Sequence, residues 1–171
     1  VLALSLVLAL AAAGRRDGIP KASREASWVR PLRGRTMGFV GFGSSARATA
    51  ALMQPFGVKL VAYQPTRGHR NLDQQVNFVS LEDLLRQADF VSLHVTINET
   101  SRRLIGTREL AMMKPTAYLI NPARGEAVAE EALVDALESG RIAGSALAPL
   151  EGGPLPAPSA FGHPGRGCTT P

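Results

Sequence analysis

Three groups of residues in this 171-residue sequence have the types and spacing to do chemistry. The first is Gly41-Phe42-Gly43-Ser44-Ser45-Ala46. Between a strand and a helix, such a turn lets the backbone approach a pyrophosphate. Gly41 permits the tight turn, Gly43 admits the phosphate, and Ala46, in place of a third glycine, keeps the helix close to the sheet. The amides of Ser44 and Ser45 then open the helix and face the anion. A ligand-free glycine-rich turn is the alternative. The second group begins at Gln64, where dinucleotide-binding folds place an acidic residue on the ribose 2′-hydroxyl. Gln64 can bond a hydroxyl without repelling a 2′-phosphate, and Arg67, His69 and Arg70 follow it. The expected cofactor is therefore NAD or NADP; an exposed basic loop is the alternative. The third group is Arg124, in Leu119-Ile120-Asn121-Pro122-Ala123-Arg124-Gly125. A planar guanidinium makes directional bonds to anionic oxygens. Helix capping or a neighbouring ion pair is the bland reading.

These groups need a scaffold, and the hydrophobic pattern supplies one. Short apolar runs suited to buried parallel strands occur at Met37 to Gly41, Val58 to Tyr63, Val76 to Val79, Asp89 to Val95, Ala117 to Asn121 and Ile142 to Leu147. Helical stretches alternate with them: Ser44 to Gln54, Leu81 to Gln87 capped by Ser80, Thr107 to Met113 capped by Thr107, and Glu130 to Ser139. Alternation of this kind predicts an α/β fold, a doubly wound parallel sheet of the Rossmann type. The expected division is a junction helix and linker over 1–31, a dinucleotide-binding domain over 32–150 and an irregular tail over 151–171.

Composition narrows the classes. Hydrophobic residues make up 45% of the chain, enough for a packed core. A single cysteine, Cys168, excludes an internal disulfide framework and suits a reducing, cytoplasmic setting. The net charge of +5 is spread along the chain. No zinc-ligand spacing or RNA-binding aromatic pattern accompanies it, so no metal and no nucleic-acid partner is expected. The apolar run Val1 to Ala13 is too short for a membrane span, and its basic residues follow it instead of leading it as in a signal peptide. It reads as a buried or interface helix, and an uncovered apolar start raises the expectation of missing upstream sequence.

Leu32 to Glu151 resembles the D-isomer-specific 2-hydroxyacid dehydrogenases, the family of phosphoglycerate dehydrogenase and glyoxylate/hydroxypyruvate reductase. The matching segments, in order, are Leu32 to Gly38, Ala88-Asp89-Phe90-Val91-Ser92-Leu93-His94, Thr100 to Gly106, Met113-Lys114-Pro115, Leu119 to Gly125, Glu131-Ala132-Leu133 and Ser139 to Gly144. The resemblance implies hydride transfer between a nicotinamide dinucleotide and small 2-oxo or 2-hydroxy acids. It implies that Arg124 is the substrate-binding catalytic arginine, and that Gly41, Gly43, Ser44, Ser45, Gln64, Arg67, Val95, Pro122, Ala123 and Arg124 line the cofactor site. Val1 to Arg16 look like the family's domain-junction helix, which commonly packs in a dimer, so a homodimer is expected.

The pattern also breaks. Ala148 stands where the family has aspartate, Gly153 where it has its catalytic glutamate, and Thr96 where it has proline. The family's catalytic histidine lies in a Pro-His pair; this chain has His163-Pro164, reversed and early. Its substrate domain is not represented. The expectation is a cofactor domain, truncated or frame-changed after Glu151, with little dehydrogenase activity alone. A non-catalytic nucleotide-sensing or interaction module on the same fold is the rival reading. A basic nucleic-acid binder ranks last.

Overall fold

The computed structural model describes residues 32–64, 75–123 and 125–147. Six strands form one parallel sheet: β1 (Thr36–Val40), β2 (Lys59–Tyr63), β3 (Val76–Phe78), β4 (Phe90–Leu93), β5 (Tyr118–Asn121) and β6 (Gly144–Leu147). Their order is β3-β2-β1-β4-β5-β6. Helices α1 (Ser44–Met53), α2 (Leu81–Gln87), α3 (Thr107–Met112) and α4 (Glu130–Glu138) connect them. This is the doubly wound arrangement expected from the alternating pattern, and each element lies within two residues of its predicted bounds. The tail over 151–171 and the apolar run Val1 to Ala13 lie outside the described residues.

Strand periodicity divides the buried side chains between two layers. Met37, Phe39, Leu60, Ala62 and Phe90 pack with Ala46, Ala50 and Met53 of α1. Val40, Val61, Val91, Leu93 and Leu119 point the other way, toward Leu84 and Leu85 of α2, Leu110 of α3 and Leu133 and Leu137 of α4. Burying one such Leu or Phe side chain contributes about 2 kcal/mol. Ser145 of β6 is fully buried, and its hydroxyl has no hydrogen-bond partner among the described residues.

Two helix starts illustrate how caps are chosen. Ser80 caps α2 as predicted, its Oγ accepting from the Asp83 amide at 3.1 Å. Thr107 does not cap α3. The cap is Gly106, whose amide donates to Glu109 Oε2 at 3.1 Å, and Thr107 is the first helical residue. Glu109 reaches back to satisfy the Gly106 amide, so the helix is capped one residue before the hydroxyl that was expected to cap it.

The entry edge of the sheet is tied by Asp89. Its Oδ2 accepts from the Thr36 amide at 2.9 Å, while Oδ1 lies 3.2 Å from Lys114 Nζ and 3.5 Å from Arg35 Nη1. Its backbone accepts from Tyr118 and donates to Thr36. One residue thus joins the starts of β1, β4 and β5. Burial alone would raise its carboxyl pKa; the Thr36 amide, Lys114 and Arg35 outweigh that and hold it below 3.8. A lowered folded value stabilises the protein above the unfolded value and loses that contribution as pH falls through the folded one. Asp89→Asn is expected to lower stability at pH 7 by about 2 kcal/mol. It should also flatten the loss of melting temperature below pH 4; an unchanged acid limb would refute the assignment.

Candidate functional site

The order of strands reverses between β1 and β4, since the chain runs outward from β1 to β2 and β3 and then returns to β4 on the other side. A parallel sheet opens a crevice at the carboxyl ends of its strands at such a point. Gly41 begins that crevice. Its φ is +86°, and a Cβ there would lie 2.8 Å from the His94 carbonyl oxygen. Only glycine fits both the left-handed backbone and the close approach. The turn is further fixed by Gly41 N–H donating to the Tyr63 carbonyl at 2.8 Å and His94 N–H donating to the Val40 carbonyl at 2.7 Å.

Gly43 differs from Gly41. A Cβ there would meet nothing within 4 Å, so the position is empty space on the outer side of the turn. It precedes α1 in extended conformation, with no side-chain cap and no acidic residue in the first helical turn. The first intrahelical bond runs from Arg47 N–H to the Gly43 carbonyl at 3.0 Å. The amides of Ser44, Ser45 and Ala46 therefore precede the ladder and carry the positive end of the helix dipole. A bare, uncharged amide terminus beside an open glycine fits a pyrophosphate. Ala46 is fully buried against the sheet, as its place in the motif requires.

Gln64 sits at the end of β2 and turns its side chain onto the glycine turn. Its Oε1 accepts from the Phe42 amide at 2.7 Å. Position 64 thus shapes the turn as well as adjoining the place expected for a ribose. Phe42 itself is buried, edge-on to Phe39 and Phe78 at 5.7 and 5.4 Å. Arg67 lies outside the described residues, as do His69 and Arg70.

Sequence reasoning assigned no role to His94. Its ring joins two serines: Nε2 lies 3.0 Å from Ser92 Oγ and Nδ1 lies 3.3 Å from Ser45 Oγ. The ring also packs on Phe39 at 5.6 Å. Ser92 and His94 stand two residues apart at the end of a strand, so both face α1. That spacing, with a serine in the first turn of α1, was the legible signal. Burial lowers the imidazole pKa from 6.5 to about 4, so the ring is neutral at physiological pH.

Val95 and Pro122-Ala123 follow β4 and β5 at the same edge, half-buried. Ala123 N–H donates to Asn121 Oδ1 at 3.1 Å, closing a tight turn at the end of β5. Arg124 lies outside the described residues, between Ala123 and the short 3-10 turn Gly125–Ala127. That turn is held by the preceding loop. Arg103 N–H donates to the Glu126 carbonyl at 2.8 Å, Ile105 N–H donates to the Ala127 carbonyl at 3.1 Å, and the Ile105 carbonyl accepts from Ala129 N–H at 2.9 Å. Arg102–Glu126 and Arg103–Glu131 ion pairs, each 2.8 Å, lie over these bonds. Ala148, Glu151, Gly153 and His163 are also outside the described residues. No group of three metal-ligating side chains occurs among the described residues.

Comparison with known proteins gives a consistent match. The family model described as D-isomer specific 2-hydroxyacid dehydrogenase, NAD binding domain, matches residues 3–171. It therefore takes in the tail, beyond the segment that carried the resemblance. Glyoxylate reductase of Thermococcus litoralis is 42% identical over 117 residues, covering 68% of this chain and 35% of that protein. Hydroxypyruvate reductase of Thermotoga maritima is 33% identical over 147 residues, covering 86% of this chain and 47% of that one. Among solved structures, the NAD-complexed D-isomer specific 2-hydroxyacid dehydrogenase of Lactobacillus delbrueckii ssp. bulgaricus superposes with a TM-score of 0.73 at 30% identity. That superposition covers 82% of this chain and 47% of the other. The chain spans about half the length, or less, of the relatives it matches.

The two glycines should separate in mutagenesis. Gly43→Ala is expected to leave thermal stability unchanged and to weaken NADH binding by about tenfold, read by fluorescence titration. Gly41→Ala should destabilise the fold by about 2 kcal/mol through strain and the His94 contact. Equal effects on stability would contradict the geometry. Because the folded His94 pKa lies below its unfolded one, protonation favours unfolding. Its contribution is complete above pH 6.5 and is lost as pH falls toward about 4. NADH affinity should accordingly show no step near pH 6.5; an inflection there that disappears in His94→Asn would contradict the neutral imidazole.

Proposed function

Because the chain belongs to the D-isomer-specific 2-hydroxyacid dehydrogenase family, as its NAD-binding domain, we propose that it supplies the cofactor half of an enzyme interconverting 2-oxo acids and D-2-hydroxy acids. The observation that carries this reading is the bare amide terminus of α1 beside the open position at Gly43. When bound, the nicotinamide supplies or accepts the hydride. Gly41 and Gly43 let the backbone approach the pyrophosphate, and the Ser44 and Ser45 amides hold it. Gln64 adjoins the ribose. Arg67 accommodates a 2′-phosphate, which makes NADP acceptable beside NAD. Val95, Pro122 and Ala123 flank the nicotinamide end. Arg124 binds the substrate carboxylate and polarises its oxo group, placing positive charge where negative charge develops.

Glyoxylate and hydroxypyruvate are the substrates this reading favours, since they are named for relatives at 42% and 33% identity. A homodimer and a cytoplasmic location complete the proposal. Among the described residues no helix is long and apolar enough to cross a membrane. The division at residues 31/32 and 150/151 is part of the same reading. A second reading, a nucleotide-sensing module without catalysis, is favoured by Ala148 and Gly153, which replace the family's aspartate and glutamate.

The purified chain is expected to bind NADH saturably, and NADPH within about tenfold of it. Alone it should turn over little glyoxylate. Joined to the substrate lobe of a glyoxylate reductase, it should reduce glyoxylate, and Arg124→Gln should cut kcat/KM by about a hundredfold or more. A fusion that binds NADH but stays inactive would favour the non-catalytic module. Strong preference for NAD over NADPH would remove the role given to Arg67.

A further inference from the structure

We propose that His94 is a positioning residue of the dinucleotide site, its imidazole linking Ser92 on β4 to Ser45 in the first turn of α1 and so fixing the helix terminus that receives the pyrophosphate. The inference rests on the reading of the glycine turn as the NAD site. It concerns a side chain to which the cofactor motif itself assigns nothing.

The geometry places His94 at both sides of the turn. Its carbonyl fills the space that a side chain at residue 41 would need, and its amide extends the β1–β4 pairing through Val40. Its ring then reaches over that same turn to Ser45. Ser92 is fully buried, and its hydroxyl meets Nε2 at 3.0 Å. That bond sets the ring plane, which Phe39 supports from the side. With Nε2 engaged, Nδ1 is aimed at Ser45, an exposed residue of α1. A serine hydroxyl can donate or accept, so either neutral tautomer completes the chain.

The consequence concerns α1 as a body. The helix packs on the sheet through Ala46, Ala50 and Met53, which are small or flexible and restrict rotation about its axis weakly. Ser45 adds a directional bond beside the amides that face the anion. Those amides need a fixed aim to bind phosphate well, because charge-assisted bonds to an oxyanion lose strength as they misalign. The Ser92–His94–Ser45 chain sets that aim from the central strand, where the backbone is most constrained. The Thr49 hydroxyl, donating to the Ser45 carbonyl at 3.0 Å, braces the same residue from inside the helix.

The test is NADH titration by fluorescence with the 171-residue chain and four variants. Ser45→Ala and His94→Phe are each expected to weaken NADH about fivefold, the effect of one lost hydrogen bond. The double variant should be no weaker than either single one, because both remove one link. His94→Asn, whose amide stands near the place of Nδ1, should recover affinity to within about twofold of the parent. Melting temperatures of Ser45→Ala and the parent should agree, so loss of affinity is not loss of fold. Unchanged affinity in Ser45→Ala, additive losses in the double variant, or no recovery in His94→Asn would each overturn the proposal while leaving the NAD site standing. Failure of the parent chain to bind NADH would overturn the site reading itself, and the positioning role with it.

Discussion

Everything at the carboxyl edge of the sheet depends on one close approach, that of the backbone at residue 41 to the carbonyl of residue 94. Strand β1 must leave the sheet, reverse and enter α1 while still lying beside β4. A side chain at residue 41 would occupy the position of the His94 carbonyl, and the left-handed backbone there excludes nearly every residue but glycine. With that contact made, the α1 terminus stands over the switch point. The end of β4 is drawn beneath it, and Gln64 comes within reach of the Phe42 amide.

The opposite edge is organised by charge. There Asp89 holds the starts of β1, β4 and β5 through a partly buried amide bond and two cations. One end of the sheet is thus closed by a satisfied carboxylate, and the other carries the uncapped amide terminus of α1. The Asp89 interactions and the glycine turn therefore lie at opposite edges of the sheet. Beyond β4 and β5, the segment 102–105 gives the Gly125–Ala127 turn its backbone partners. Arg103 adopts φ +53° there, a conformation that costs a non-glycine residue about 1 kcal/mol. The backbone bonds offset that cost more than its exposed ion pair does.

The architecture was legible because burial on both faces leaves continuous apolar runs, as in Phe90 to Leu93, and because Gly41 and Gly43 stand between a strand and a helix. The start of α3 was not legible. A threonine before an apolar stretch looks like a cap, and nothing local reveals that Glu109 will reach back to Gly106. The contacts of Gln64 and His94 were not legible for a related reason. Their partners, Phe42 and Ser45, are 22 and 49 residues away, and only the strand order brings them together. Strand alternation placed Ser92 and His94 on one face; it could not say that α1 would present a hydroxyl to that face. Arg124 and Arg67 stay as the sequence placed them, since the described residues stop on either side of each.

The bond from the Phe42 amide to Gln64 has a bearing on how cofactor preference can change in such a domain. The side chain proposed to border the ribose is also a structural member of the loop proposed to border the phosphates. A carboxylate at position 64 could still accept from the Phe42 amide, but a basic or apolar residue chosen to admit a different ribose would leave that amide without its acceptor. Under the proposed assignment, cofactor selectivity and the shape of the turn are therefore inherited together. A sequence drifting from one dinucleotide to another has to keep an acceptor here while it alters the charge around it, so the adaptable positions are the neighbours of residue 64.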